Sequence, residues 1–369
     1  MVAIRILQSL ATLDYGETEA MIMNLYRNID RDQIQFDFVV NERTAPFFYE
    51  AEVKNLGGRI FTLPTFSGKN FVFYRKKVNQ LFQEHPEWEI VHIHDASSTM
   101  LMIDLAKKHQ LVTIAHAHFD RDFINFKTYV QKILRAPIKN NADYLFACSK
   151  LAGAYVFNVN KEEVRVIKNA LEPEKYIFNE NIRKRKRAEL GLKNEMILGH
   201  LGRMEIEKNQ LYLIDVFKAY HALNSKSILI LIGEGELKEE LQRKVSEYGL
   251  KKNVRFLGVD TDYYEWFQAM DVFLFPSLFE GVPLPLIEAQ AAGLPIIASD
   301  RITKEVNISN LIHFKTIEAE PSQWAKMIDD LYLLFREDMS EKMIEAGFDA
   351  KDTAKELKDC YFSILKEGS

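Results

Sequence analysis

The sequence predicts an α/β chain of two doubly wound, Rossmann-like parallel-sheet domains facing a central cleft, on three observations. A short apolar run followed by a helical stretch recurs through the first half, a polar stretch interrupts it, and a second series of the same kind follows. At 369 residues the chain is also longer than one ordinary hydrophobic core supports, so two domains are expected.

In order along the chain, 4–10, 36–40, 59–63, 90–94, 111–116, 144–148 and 164–167 read as buried strands, being short and mostly β-branched or apolar. Segments 19–28, 71–83 and 99–108 carry helical spacing, so strand and helix alternate and the sheet is parallel. The pattern lapses across 173–193, which holds five consecutive cations, Arg183, Lys184, Arg185, Lys186 and Arg187. Residues 173–195 are read as a linker and the cations as a solvated face, with a phospholipid contact as the lesser alternative. A second series runs through 196–201, 227–232, 254–257, 272–275 and 295–298. The domains are therefore set at 1–172 and 196–349, and a helix over about 350–369 is assigned to pack back on the first. Ligands of such sheets bind outside the carboxyl ends of the strands, which places the chemistry in the cleft.

Composition removes several classes of function. Hydrophobic content of 47% with 27% charged residues is that of a packed protein rather than a disordered one. A net charge of -5 lacks the basic excess that nucleic-acid binding uses. Cys148 and Cys360 are far apart with no CxxC pair, so neither a disulfide framework nor a zinc knuckle is suggested and a cytoplasmic location is expected. The opening segment puts Arg5 inside a short apolar run and turns polar too early for a signal peptide or a membrane span. Membrane contact, if any, is expected to be peripheral.

The strongest constellation follows the strand at 272–275. The segment Pro276-Ser277-Leu278-Phe279-Glu280-Gly281-Val282-Pro283-Leu284-Pro285-Leu286-Ile287-Glu288 places Glu280 in a loop and Glu288 about one turn into a helix opening near Leu284. The helix start offers free N–H groups to an anion, and the carboxylates can accept hydrogen bonds from sugar hydroxyls. A second strand–loop–helix segment runs Gly199-His200-Leu201-Gly202-Arg203-Met204-Glu205-Ile206-Glu207-Lys208. There Gly202 permits close backbone approach, and Arg203 and Lys208 supply two cations for a diphosphate.

In order and spacing these loops resemble the donor-site motifs of retaining, GT-B-fold glycosyltransferases of family 4, especially those of bacterial capsule and exopolysaccharide assembly. Glu280 and Glu288 match the Glu-x7-Glu signature, and Gly202, Arg203 and Lys208 match the G-R-x(4)-K element. Further matches are Gly16-Glu17-Thr18-Glu19, Val166-Ile167-Lys168-Asn169-Ala170, Gly233-Glu234-Gly235-Glu236-Leu237, Phe256-Leu257-Gly258-Val259 and Ala289-Gln290-Ala291-Ala292-Gly293-Leu294-Pro295, so the resemblance spans nearly the whole chain.

The resemblance implies transfer of a sugar from a nucleotide donor, commonly UDP-linked, to a saccharide or lipid-linked acceptor. Retention at the anomeric carbon and no required metal or cofactor are implied with it. Glu280 would bind sugar hydroxyls and Glu288 the ribose, with Gly281, Val282, Pro283 and Leu284 lining the donor site. Arg203 and Lys208 would hold the diphosphate, Gly258 to Asp260 would border the base, and Gly16 would approach the phosphates on domain closure. Glu280 and Lys208 are both expected to be exposed, so that alanine at either removes transfer and leaves the fold intact. Two departures stand out. Glu17 replaces the second glycine of the N-terminal loop and brings a carboxylate near a diphosphate, and Pro285 removes an N–H from the helix start.

Two His-x-His pairs, His92/His94 and His116/His118, end neighbouring strands, and residues two apart share a strand face. By the resemblance His116 stands near the transferred sugar, with His94 and His118 on the acceptor side; a hydrogen-bonded structural role is the alternative, and a stronger one for His92. A rival is a metal-dependent hydrolase using His92, His94, His116, His118, Asp120 and Asp122. The D-x-D pairs Asp30/Asp32, Asp120/Asp122 and Asp260/Asp262 are chance matches in a chain with 53 acids. Segment 123–139 reads as a core-facing helix edged by cations, with an interfacial helix meeting a lipid-linked acceptor as the alternative. Two other functions stay open: a sugar-nucleotide epimerase or hydrolase on the same frame, and a non-catalytic binding or assembly protein.

Overall fold

The structure, a computed structural model, describes residues 3–94, 98–118, 137–259, 262–331 and 336–367. Asp95, Asp120, Asp122, Asp260 and most of the 123–139 segment lie outside these residues. The chain forms two compact units, one of residues 1–170 with 350–369 and one of residues 171–349.

The first unit is built on a parallel sheet of seven strands: β1 (Ile4–Ser9), β2 (Ile34–Asn41), β3 (Ile60–Leu63), β4 (Trp88–Ile93), β5 (Val112–Ala117), β6 (Tyr144–Ala147) and β7 (Arg165–Val166). Their order is β3-β2-β1-β4-β5-β6-β7, so the chain winds outward from β1 in one direction and then, from β4, in the other. The period of two sorts the strands' side chains between two cores. Ile6, Phe36, Phe38, Ile90, Ile114 and Phe146 line one face. Leu7, Val39, Val91, Ala115 and Ala147 line the other. The last helix, Ala350–Glu367, lies on the first face and packs against the Glu17–Asn28 helix. It buries Ala354, Leu357, Tyr361 and Ile364, a stripe at helical spacing.

Asp37 ties four segments of this sheet together. Its fully buried carboxylate accepts from Arg5 Nε at 2.8 Å, from the Arg59 backbone N–H at 3.0 Å and from Trp88 Nε1 at 2.8 Å, and the Arg59 guanidinium lies 2.5 Å away. Burial alone would raise its pKa, but the bonds from Arg5, Arg59 and Trp88 outweigh burial and hold it at about 2, below its ordinary 3.8. A lowered folded-state pKa stabilises the fold above the unfolded value and loses that stabilisation as pH falls through the folded one. Asp37→Asn is therefore expected to cost about 2 kcal/mol at pH 7, with the difference from wild type shrinking between pH 4 and pH 2. Urea unfolding across that range checks it, and a difference independent of pH would contradict it.

The second unit carries a parallel sheet of six strands: β8 (Met196–Leu201), β9 (Ser227–Ile232), β10 (Val254–Gly258), β11 (Val272–Phe275), β12 (Ile296–Ser299) and β13 (Ile312–Lys315), in the order β10-β9-β8-β11-β12-β13. This repeats the winding of the first sheet. β13 has no counterpart in the sequence reading, because it is a short edge strand whose sequence, IHFK, leaves three of four residues half-buried.

The segment read as a linker is part of this unit. A helix covers Glu180–Glu189, with the Asn179 side chain accepting from the N–H groups of Asn181 and Ile182 at its start. The five cations do not form a solvated face. Arg187 is buried and, with Arg183, grips Asp271 at 3.3 and 2.5 Å. Lys186 is buried over the Trp266 ring, 4.6 Å from its centroid, and Arg185 pairs with Glu265. Lys184 and Arg185 remain exposed, Lys184 the more so. Helical spacing explains this: residues three and four apart share a face, so an unbroken run of cations must send some of them inward. Their long stems fill space while their heads find carboxylates and backbone carbonyls.

Candidate active site

The predicted donor residues of the second unit meet at the carboxyl ends of β8 and β11. After β8 the chain passes Gly202 and Arg203 into a short turn, Ile206–Lys208, closed by Asn209 in the left-handed conformation at φ 55°. After β11 it enters the loop that leads to the Leu284–Ala291 helix. The loops are joined by the Leu278 N–H to the Glu207 carbonyl at 2.8 Å and by Asn209 Nδ2 to the Pro276 carbonyl at 3.2 Å. This brings Lys208 Nζ within 2.7 Å of Glu280 Oε1. The two side chains are only 8% and 10% exposed, so the expectation that both stand open to solvent is corrected. A pair so nearly buried is held firmly.

A third and a fourth loop complete the surround. The Gly202 N–H donates to the Ile232 carbonyl at 3.0 Å, and the Gly233 N–H to the Gly258 carbonyl at 3.0 Å. A Cβ at Gly233, where φ is +141°, would come within 2.1 Å of the Gly202 carbonyl oxygen. Glycine is therefore required there by both conformation and space. Behind Gly202, His200 accepts no proton at neutral pH: burial pushes its pKa to about 4, against the bond its Nδ1 makes to the Leu274 carbonyl at 2.9 Å. Arg203 differs from Lys208 in being well exposed, with Glu205 at 2.9 Å.

Glu288 stands in the first turns of the helix, as its spacing predicts, and is fully buried. One of its carboxylate oxygens, Oε1, accepts from the hydroxyls of Tyr176 and Tyr263, each at 2.6 Å. Burial and the Glu288 charge hold the Tyr176 hydroxyl well above its ordinary pKa, so it remains a donor. Neither tyrosine was legible as a site residue: 112 positions separate Tyr176 from Glu288 in the chain. Gly281 and Val282 are half-buried ahead of the helix, while Pro283 and Leu284 are buried at its start. Gly258, at φ +66°, closes β10.

In the first unit Gly16 precedes the Glu17–Asn28 helix and is buried. The Glu19 carboxylate folds over it, 2.2 Å from where a Cβ would stand. Two acids, Glu17 and Glu19, thus occupy the first turn of the helix that was expected to face phosphate.

The four histidines form two hydrogen-bonded relays whose proton directions follow from Gln8. The Gln8 amide oxygen takes the proton of His94 Nε2 at 2.9 Å, which leaves His94 Nδ1 to accept from His118 Nε2 at 2.8 Å. The Gln8 amide nitrogen donates to the Tyr361 hydroxyl at 3.2 Å. That hydroxyl donates to His92 Nδ1 at 2.7 Å, and His92 Nε2 donates to His116 Nδ1 at 3.0 Å. His116 Nε2 is left with a proton and His118 Nδ1 with a lone pair, and neither atom has a partner among the described residues. Burial lowers the pKa of all four rings, to about 3 for His92 and His118, so the relays are neutral at pH 7. One nitrogen from each of His92, His94 and His116 lies within 4.8 Å of the others. The lone pairs of these three rings are committed to the relays, while the His116 Nε2 proton is not, and the aspartates of the rival metal reading, Asp120 and Asp122, lie outside the described residues.

Two Rossmann-like units with these loops on the second define a GT-B fold. The likeness to solved structures agrees: Anabaena HepE, crystallised with UDP and glucose, superposes with a TM-score of 0.78 over 98% of this chain and 100% of its own, at 17% identity. The family model for Glycosyltransferase Family 4 matches residues 18–175, and that for Glycosyl transferases group 1 matches residues 182–349. The putative glycosyltransferase EpsF of Bacillus subtilis is 31% identical, with 97% of this chain and 96% of EpsF covered. An Escherichia coli UDP-Gal:alpha-D-GlcNAc-diphosphoundecaprenol alpha-1,3-galactosyltransferase is 30% identical over 56% of each chain. The chain belongs to the family 4 glycosyltransferases of GT-B fold. No described helix is long and apolar enough to cross a membrane.

Proposed function

We propose that this glycosyltransferase moves a sugar from a UDP-linked donor to a saccharide or lipid-linked acceptor, with retention of anomeric configuration, in the assembly of a surface polysaccharide. The observation that carries the proposal is the buried Lys208–Glu280 pair among the glycine-bordered loops after β8, β9, β10 and β11. Lys208 and the exposed Arg203 supply positive charge for a diphosphate, and Glu280 supplies an acceptor for sugar hydroxyls. As the bond from the anomeric carbon to the β-phosphate oxygen breaks, negative charge grows on that oxygen, where the cations are already in place. The acceptor hydroxyl oxygen bonds to the same face of the anomeric carbon, and its proton passes to the departing phosphate. With two side-chain cations at the diphosphate the reaction needs no metal, so a chelator leaves turnover unchanged. Glu288 takes the ribose hydroxyls by exchanging a tyrosine hydroxyl for them. His116 Nε2–H and the His118 Nδ1 lone pair offer a donor and an acceptor to sugar hydroxyls. The E. coli relative, a galactosyltransferase acting on GlcNAc-diphosphoundecaprenol, supports a lipid-linked acceptor, and the Staphylococcus aureus capsular polysaccharide biosynthesis glycosyltransferase CapH supports the polysaccharide setting.

Thermal-shift screening against a panel of nucleotide sugars tests the proposal, followed by NMR of the product's anomeric centre. A UDP-sugar should raise the melting temperature, and the product should keep the donor's anomeric configuration. Failure to bind any nucleotide sugar would favour the non-catalytic reading. Donor breakdown or epimerisation independent of acceptor would favour the hydrolase or epimerase. An inverted product would remove retention.

A further inference from the structure

The Phe71–Glu84 helix follows β3 in the first unit and buries Tyr74, Val78, Leu81 and Phe82 against the sheet. That stripe begins at Tyr74, so the turn ahead of it overhangs the core. There Phe71, Val72 and Phe73 are 43%, 80% and 52% exposed. Single exposed apolar residues are ordinary, but three consecutive large ones at one helix start form a patch. The patch is ringed by cations: Lys69 just before the helix, and Arg75, Lys76 and Lys77 just after, all exposed. Lys77 Nζ lies 5.8 Å from the centre of the Phe73 ring. No acid occurs in the sequence between Glu52 and Glu84. Asp104, on the Thr99–Lys108 helix packed alongside, is shared between Lys108 at 3.0 Å and Arg75 at 3.9 Å. The surface therefore presents aromatic and branched apolar groups inside a cationic collar.

We propose that residues 69–77 dock this unit on an anionic phospholipid bilayer, with Phe71, Val72 and Phe73 entering the headgroup–acyl boundary and the four cations meeting lipid phosphates. Apolar burial and attraction to anionic headgroups are the two terms that hold an interfacial helix, and both groups are present here at one helix end. A protein partner of mixed surface charge would not call for four cations around an apolar centre whose one neighbouring acid, Asp104, lies 3.9 Å from Arg75 and is shared with Lys108. The docking rests on these side chains and is independent of the transfer chemistry, and it sits on a different segment from 123–139, for which an interfacial helix was the alternative reading.

Co-sedimentation of the full chain with vesicles tests it, using phosphatidylcholine alone and an equal mixture with phosphatidylglycerol. The wild type should pellet with the mixed vesicles, pellet poorly with phosphatidylcholine, and release as salt rises. Lys76→Ala with Lys77→Ala should weaken partitioning about 25-fold, from a roughly fivefold contribution per cation. Phe71→Ser with Phe73→Ser should remove the salt-resistant part. Exposed positions leave folding intact, which equal melting temperatures verify. Val72→Trp gives an independent reading, a blue shift of its emission on mixed vesicles. The proposal is overturned by any of three results: no binding to mixed vesicles, binding unchanged in both double variants, or a self-associating wild type that the Phe71→Ser, Phe73→Ser variant turns monomeric.

Discussion

Replacing both Lys208 with Met and Glu280 with Gln is expected to lower sugar transfer about a thousandfold while the protein melts within a few degrees of wild type. The reason lies in the burial of the pair, whose side chains are 8% and 10% exposed and 2.7 Å apart. Removing one partner takes from the other its ion-pair contact in a nearly buried site, at about 3–5 kcal/mol. Lys208→Met or Glu280→Ala alone should therefore lower the melting temperature by roughly 10 °C, and their lost activity would be confounded with unfolding. Removing both charges with side chains of similar volume avoids that cost. Under the proposed function, what disappears is the ammonium assigned to the departing diphosphate and the carboxylate assigned to the sugar, together worth about 4 kcal/mol of barrier. Donor turnover and thermal melts on the two single variants and the double variant make the comparison. A double variant with wild-type turnover would remove Lys208 and Glu280 from the mechanism, and a double variant as unstable as either single one would show that the pair is a structural clamp.

Asp271→Ala is expected to destabilise the second unit by about 4 kcal/mol. Asp271 is 8% exposed and accepts from Arg183 at 2.5 Å, from Arg187 at 3.3 Å and from the Ile197 N–H at 2.7 Å. Its loss leaves two guanidinium groups beside an apolar core and frees the start of β8. Arg183 keeps bonds to the carbonyls of Gln268, Ala269 and Met270, so its side chain stays in place but its charge is no longer neutralised by Asp271. Lys184→Ala is the control: it lies in the same run of cations but is 73% exposed, and its loss should change stability by no more than about 0.5 kcal/mol. Urea unfolding separates the two. Equal effects from Asp271→Ala and Lys184→Ala would restore the reading of the whole run as a solvated face.

That comparison marks where sequence reasoning stops. The strands at 196–201, 227–232 and 272–275 were legible to the residue because a buried parallel strand needs a short, mostly apolar run. β13 was not, because an edge strand buries too little to demand such a run. Glu280 and Glu288 were legible as a pair because a loop and a helix turn set their separation. That Glu288 would be sealed under Tyr176 and Tyr263 was not, since those hydroxyls arrive from other elements. The histidine relays show the same division. Two His-x-His pairs at neighbouring strand ends predict a cluster on one sheet face. Which ring nitrogen keeps its proton depends on Gln8 and on Tyr361, 353 positions further along the chain.

The sequence by itself determined the α/β class, the two-fold repetition of the winding, the family and the place of the loop motifs after β8 and β11. All of these rest on local pattern: apolar period, turn-forming glycine and proline, and the spacing of a few charged residues along one loop. Tertiary structure alone decided that Lys208 and Glu280 are buried partners, that Arg183 and Arg187 face inward onto Asp271, that His116 offers a proton where His118 offers a lone pair, and that Phe71, Val72 and Phe73 are left in water. Each of these is a question of direction and surroundings. A side chain's neighbours come mostly from remote parts of the chain, so its burial, its ion pair and its tautomer are properties of the packed fold and cannot be read from the residues beside it.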